Sequence, residues 1–263
     1  MKKIYIVTLA LAALSLQSCK KGGLNLFSIE DDIALGKQTQ QEIANNPTEY
    51  PILDEATNQA AYNYLYTMRD AILNGSSEFQ HKNDFEWKLY IIKRDDVQNA
   101  FCTPGGYIYV YTGLMKTLDD ASSLAGVMGH EMAHADRRHS TQQMTEVYGI
   151  QTLLSFIGGN AQQIAEIAGQ LISLKFSRNH ETEADTYSVK YLCPTRFRAD
   201  GAADFFKKLG GSQGVPEFMS THPDPGNRIS NIEKQKTDLN CSDADNYTPG
   251  EDITNYNQLK AAI

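Results

Sequence analysis

Apolar and polar positions along the 263-residue chain repeat with two different periods. Residues 31–46 carry a polar, helical pattern that stops at Asn45-Asn46-Pro47, and residues 53–73 read as a longer helix ended by Asn74-Gly75. From Phe85 to Ile92 the pattern changes to alternation, with Phe, Trp, Leu and Ile set against Glu, Lys and Tyr, which predicts a strand. A turn at Asp95-Asp96 leads to a second extended run over 97–101. After the turn Pro104-Gly105-Gly106 comes Tyr107–Tyr111, "YIYVY", whose aromatic and β-branched residues make it the strongest strand pattern in the chain. These runs predict a small sheet, expected to be antiparallel and connected in chain order.

Beyond Gly113 the pattern is helix and loop. Asp119 or Asp120 can cap a helix running to Arg138, and further helices are predicted over 141–157, 161–174, 179–192 and 199–209. Pro225 can open another that reaches Lys236. From Cys241 the chain is polar and loop-like. No linker rich in Pro, Gly or Ser divides it, so 31–240 reads as one domain and 241–263 as a polar C-terminal tail. The fold class is α+β, predominantly helical.

The first residues have a different character. Lys2 and Lys3 precede an apolar stretch, Ile4 to Leu16, that is shorter than the roughly 20 residues a membrane-spanning helix needs. This is the pattern of an export signal. It ends in Leu16-Gln17-Ser18-Cys19, which resembles the lipobox of bacterial lipoproteins. Residues 1–18 are then a signal peptide, Cys19 is the lipidation site, and 19–30, with Lys20, Lys21 and two glycines, form a flexible tether. An ordinary secretory signal with a chance cysteine is the plainer alternative. Removing the signal takes Lys2 and Lys3 with it, and the net charge moves from −8 to −10. An acidic chain without a basic stripe makes a poor nucleic-acid binder. Of the remaining cysteines, Cys102, Cys193 and Cys241, an oxidising compartment allows a Cys193–Cys241 disulfide, and three free thiols are the alternative.

Candidate chemistry enters with His130-Glu131-Met132-Ala133-His134. Helical residues four apart share a face, so both imidazoles can reach one zinc ion. Between Leu124 and Ala135 the only ionisable groups are His130, Glu131 and His134, on a helix apolar all round and therefore buried. Buried ionisable groups require partners, and a metal satisfies all three together. The nearby Arg137, Arg138 and His139 suit a helix C-terminus without further explanation. His81 reads as solvated, and His180 has no assigned role.

A zinc peptidase site needs a third protein ligand. The stretch His180-Glu181-Thr182-Glu183-Ala184-Asp185 offers three carboxylates. With about 100° per residue and Glu181 at zero, Asp185, Ser188, Leu192 and Ala184 lie within about 60° of it, a face otherwise small or apolar. Glu183 falls near 200°, beside Lys190 on what reads as the solvent face. Glu181 is thus the candidate third ligand. Asp185 can accept a hydrogen bond from the outer nitrogen of a ligating histidine and fix its tautomer.

A helical His-Glu-x-x-His followed by a helical Glu-x-x-x-Asp is the gluzincin pattern. Four segments in order, "NAFCTPGGYIYVYTGLM" (99–115), "LAGVMGHEMAHADRRHS" (124–140), "FSRNHETEADTYSVKYL" (176–192) and "STHPDPGNRISNIEK" (220–234), extend it. The chain resembles the HtpX and CAAX-prenyl-protease family of zinc metallopeptidases, in particular its soluble BepA- and LoiP-like bacterial lipoprotein branch, over residues 30–236. The resemblance implies a zincin-like domain with one catalytic Zn2+ on His130, His134 and Glu181, Glu131 as base, and Asp185 in support. His222 and Arg228 become candidates for stabilising the transition state, with capping of the metal as an alternative for His222. Gly105, Gly106, Tyr107 and Ile108 are candidate substrate-binding residues, on the idea that an extended chain adds to the strand over 106–111.

The resulting expectation is an endopeptidase on the periplasmic side of a bacterial envelope, lipid-anchored to a membrane. It would act on unfolded or misassembled polypeptides and meet partners from assembly machinery. A chaperone or assembly factor that cleaves little, and a dedicated processing protease, are the alternatives. An intact Glu131 favours cleavage.

Overall fold

The computed structural model describes residues 23–156, 169–210, 217–224, 226–242 and 249–263. Helices α1 (Ile29–Ala44) and α2 (Gln59–Gly75) precede a sheet of β1 (Leu89–Ile92), β2 (Ala100–Thr103) and β3 (Tyr107–Tyr111). After it come α3 (Thr112–Thr117), α4 (Ala121–Asp136), α5 (His139–Phe156), α6 (Arg178–Leu192), α7 (Gly201–Gly210), α8 (Phe218–Thr221), α9 (Arg228–Asp238) and α10 (Pro249–Ala261). The signal peptide, Cys19, most of the helix expected over 161–174, and Pro225 lie outside the described residues. Among the described residues no helix is long and apolar enough to cross a membrane.

The centre of the fold is α4, every residue of which is buried. Asp120 caps it by accepting from the Ser123 amide at 2.7 Å. It ends where Arg138 takes a left-handed φ of 62°. Such a helix needs neighbours on all sides, and it has them: α6, α7, α2 and α10 pack around it, and β2 and β3 close the remaining side. The approach of α7 is backbone to backbone, since a Cβ on Gly126 would lie 2.0 Å from the Ala202 nitrogen. On the α6 side, Ser188 donates its Oγ hydrogen to the Gly126 carbonyl at 2.8 Å. Small residues thus bring the two site-bearing helices together.

The sheet corrects the antiparallel expectation. Its order is β1-β3-β2, with β1 parallel and β2 antiparallel to β3. After β1 the chain crosses the end of β3 before turning back as β2. Gly113 permits that crossing, because a Cβ there would sit 2.3 Å from the Val97 carbonyl. β3 is therefore the central strand, paired on both sides, and cannot take an added strand through Tyr107 and Ile108. Gly105 and Gly106, both at positive φ, form the β2–β3 turn. The outer edge of β1 is covered: Leu53 donates to Ile91 at 2.8 Å and Lys93 to Pro51 at 2.8 Å. This pairing, with a turn in which Asp54 accepts from the Thr57 amide, holds residues 53–58 out of α2. Among the described residues nothing pairs with the outer edge of β2.

Two further expectations change. Residues 25–28, expected within a flexible tether, dock on α5: Asn25 donates to Thr141 Oγ1 at 2.9 Å, the Leu26 amide to Thr145 Oγ1 at 3.3 Å, and Phe27 is buried. Beyond Cys241, the expected loop contains α10. Its Tyr256 and Leu259 are buried, and Asp252 accepts from the Ser122 amide at the start of α4. Cys193 and Cys241 form a disulfide across 48 residues of sequence, while Cys102 is a buried free thiol. Replacing both bonded cysteines with serine is expected to lower unfolding free energy by about 4 kcal/mol, the chain-entropy value for a loop of this length. Urea denaturation measures this, and an unchanged midpoint would contradict it.

Candidate metal centre

His130 and His134, one turn apart on α4, bring their Nε2 atoms to 3.0 Å. Glu181, on the first turn of α6, meets both: Oε2 lies 3.5 Å from His130 Nε2 and Oε1 lies 3.4 Å from His134 Nε2. The start of α6 is fixed by Ser177, whose Oγ accepts from the His180 amide at 3.2 Å. His222 follows the short α8 and places Nδ1 3.1 Å from Glu181 Oε1. These four buried side chains each offer a donor atom, all within 4.8 Å of one another.

The set suits a metal ion. Bonds of about 2.1 Å in a tetrahedral site imply donors about 3.4 Å apart, close to the separations here. Three imidazoles and one carboxylate are a donor set for a borderline-soft divalent ion. Glu131 supplies a second sign: it is buried, and among the described residues neither carboxylate oxygen has a hydrogen-bond partner. Its Oε1 lies 3.6 Å from His222 Nε2.

The walls are aromatic. Phe176 stacks on His134 with centroids 3.9 Å apart, and Phe218 on His222 at 4.2 Å. In this low-dielectric setting the groups titrate in different directions. Burial drives Glu131 upward and His134 well below its ordinary value. Burial and Arg228 press His130 downward, yet Asp185 and Glu181 outweigh them and raise it to about 9. Burial also opposes ionisation of Glu181, but His222, His130 and His134 hold it well below the usual carboxylate range.

The helical-face reading of α6 puts Glu181 and Asp185 inward, and both are buried beside His130. Asp185 Oδ1 is 2.9 Å from His130 Nδ1, where it can hold the ring with Nε2 toward Glu181. Arg228 is engaged through two of its three nitrogens. Its Nε and Nη2 donate to the two Asp185 oxygens at 2.7 and 2.8 Å, and Nη2 lies 3.0 Å from Glu181 Oε2. Its guanidinium sits 3.8 Å over the Phe206 ring, and among the described residues Nη1 has no hydrogen-bond partner. Gly105, Gly106, Tyr107 and Ile108 are not drawn into the cluster.

Glu183 departs most from its solvent-face expectation. Its side chain is only 28% exposed; it accepts from Arg137 Nε at 2.9 Å and faces His139 at 3.5 Å. Lys190, expected beside it, pairs instead with Glu78. His139 is fully buried and stacks on His180. Helix periodicity could not reveal this, because Arg137 and His139 reach Glu183 from the junction of α4 and α5. Two cavities flank the site. One, of about 480 Å³, is lined by Phe206, Leu209, Met219, Arg228 and Ile229. The other, about 330 Å³, lies between Asn99 and Phe101 at the β2 edge and Ser220 and Thr221 of α8.

Comparison with known proteins matches residues 66–236 to the family model "Peptidase family M48". A "Mitochondrial metalloendopeptidase OMA1" of Schizosaccharomyces pombe is 29% identical over 160 residues, which is 58% of this chain and 47% of that protein. The "Beta-barrel assembly-enhancing protease" of Yersinia pestis is 26% identical over 233 residues, 81% of this chain and 45% of its own. The "Metalloprotease YcaL" of Escherichia coli is 31% identical over 156 residues, 56% of this chain and 60% of its own. Alignments thus span from about a third to two thirds of the curated relatives' lengths.

Proposed function

We propose, for a chain that belongs to peptidase family M48, a zinc-dependent endopeptidase that hydrolyses unfolded or misassembled proteins of a bacterial envelope. The observation that carries this reading is the buried His130, His134, Glu181 and His222 cluster with an unpartnered Glu131 carboxylate beside it. His130, His134 and Glu181 would hold the ion. Zinc supplies Lewis-acid polarisation of a carbonyl and lowers the pKa of water it binds.

Glu131 takes the proton of the attacking water and returns it to the leaving amine nitrogen. Its burial, which raises its proton affinity, brings it nearer the range in which a base works at neutral pH. Asp185 orients His130, and Arg228 holds Asp185 and Glu181 in place. His222 fits the capping role better than transition-state stabilisation: it occupies the fourth corner of the donor set, and a peptidase must open that corner to water and substrate. The unpaired β2 edge, packed against α4, suits an extended polypeptide laid alongside as an added strand.

The envelope setting rests on the export signal in residues 1–18 and on the relatives named as assembly-enhancing proteases. The same features favour the BepA-like lipoprotein branch of the family, with Cys19 lipidated, a peptidase domain that extends residues 31–240 by the docked residues 25–28 and by α10, and assembly machinery as partners. The test is to incubate the purified mature chain with unfolded casein. Cleavage is expected, stopped by a chelator and restored by zinc. Cleavage indifferent to chelator, or none with zinc supplied, would overturn the proposal.

A further inference from the structure

Both imidazoles of α4 turn Nε2 toward Glu181 and leave Nδ1 on the far side. For His130, that far nitrogen meets Asp185. For His134 it meets another histidine: His139 Nδ1 lies 3.0 Å from His134 Nδ1. Two ring nitrogens at this distance share one proton, so one donates and the other accepts. If the His134 Nε2 lone pair is turned to a metal, its proton resides on Nδ1. His139 Nδ1 is then the acceptor, and the neutral His139 ring must carry its own proton on Nε2.

That Nε2 is buried and among the described residues has no hydrogen bond of its own. It faces Glu183 Oε2 at 3.5 Å, and a shift of a few tenths of an ångström would make the bond. Glu183 is held by Arg137, whose Nε donates to Oε1 at 2.9 Å and whose guanidinium lies 4.4 Å over the Tyr187 ring. On its other side His139 stacks against His180, with centroids 4.6 Å apart and planes within 17°. An ordinary packing histidine has no need of a carboxylate aimed at one nitrogen while the other touches a candidate ligand.

The geometry points to Arg137, Glu183 and His139 as a positioning chain that fixes the tautomer and orientation of His134, as Asp185 does for His130, and so sets how tightly the site holds its metal. The inference rests on the metal site proposed above. The three carboxylates at the start of α6 then divide the work between them. Glu181 is the ligand, Asp185 steadies one histidine, and Glu183 steadies the other through His139.

The test is zinc affinity by chelator competition, with the visible spectrum of the cobalt-substituted protein as a second readout. His139→Ala and Glu183→Ala are each expected to weaken zinc binding about 10–100-fold, the usual effect of removing a partner behind a ligating histidine, and to alter the cobalt bands. Glu183→Gln and His139→Asn each keep an acceptor oxygen and should recover most of the affinity. Glu78→Gln, which disturbs a surface pair with Lys190 on the same helix, should change neither readout. Wild-type affinity and spectrum in the alanine variants, with only a lowered melting temperature, would reduce His139 to packing and overturn the proposal. Equal weakening in Glu183→Gln and Glu183→Ala would overturn the acceptor role of Glu183. Should His139→Ala fail to fold, the Glu183 pair and His139→Asn decide. Absence of zinc binding by the wild type would instead refute the metal site itself.

Discussion

Glu131→Gln is expected to reduce cleavage of unfolded casein by about 10²–10⁴-fold, the range spanned by removal of a positioned acid–base group, while zinc stays bound. The amide matches the carboxylate in shape, so the helix and its neighbours keep their packing. Glu131 is not one of the four clustered donors, so the metal keeps its ligands. The variant loses only an oxygen able to take a proton. The fold should not suffer: both oxygens of Glu131 are buried without hydrogen bonds among the described residues, and a neutral group there avoids the cost of an unpaired charge. A melting temperature equal to or above that of wild type, with zinc content unchanged and cleavage nearly absent, is the expected set of results. Cleavage within tenfold of wild type would assign the proton transfer to another group. Loss of zinc together with activity would make Glu131 a ligand.

The parts of the site legible in the sequence are those confined to one helix. The four-residue spacing of His130 and His134 and that of Glu181 and Asp185 each define a face, and the apolar surroundings of α4 announce burial. Contacts between elements leave no such mark. Glu183 reads as solvent-facing because periodicity on α6 says nothing about Arg137 and His139, which come from the end of α4 and the start of α5. The sheet order is hidden for a related reason. "YIYVY" reads as a strand, but only the crossing over Gly113 makes it central and leaves β2 as the open edge. In α10 the buried residues Tyr256 and Leu259 are too few among polar neighbours to give an amphipathic pattern.

Glu181→Ala is expected to weaken zinc binding by well over the roughly 10–100-fold assigned to Glu183→Ala. The asymmetry follows from what each carboxylate faces. Glu181 is fully buried and meets His130, His134 and His222 at once, at 3.5, 3.4 and 3.1 Å. It also contributes the only negative charge among the four donors. Without it, three neutral imidazoles remain to hold a dication, and the Arg228 cation beside them has lost the oxygen it faced at 3.0 Å. Glu183 is partly exposed and touches no donor directly, so its loss is felt only through His139. Titrating both variants against the same chelator should therefore give a fixed order: wild type tightest, Glu183→Ala intermediate, Glu181→Ala weakest and without cleavage activity. If Glu183→Ala lost the metal and Glu181→Ala kept it, the inward face of α6 would be assigned to the wrong glutamate. Equal losses would mean that Glu181 acts on the metal no more directly than Glu183 does, and would remove it from the ligand set.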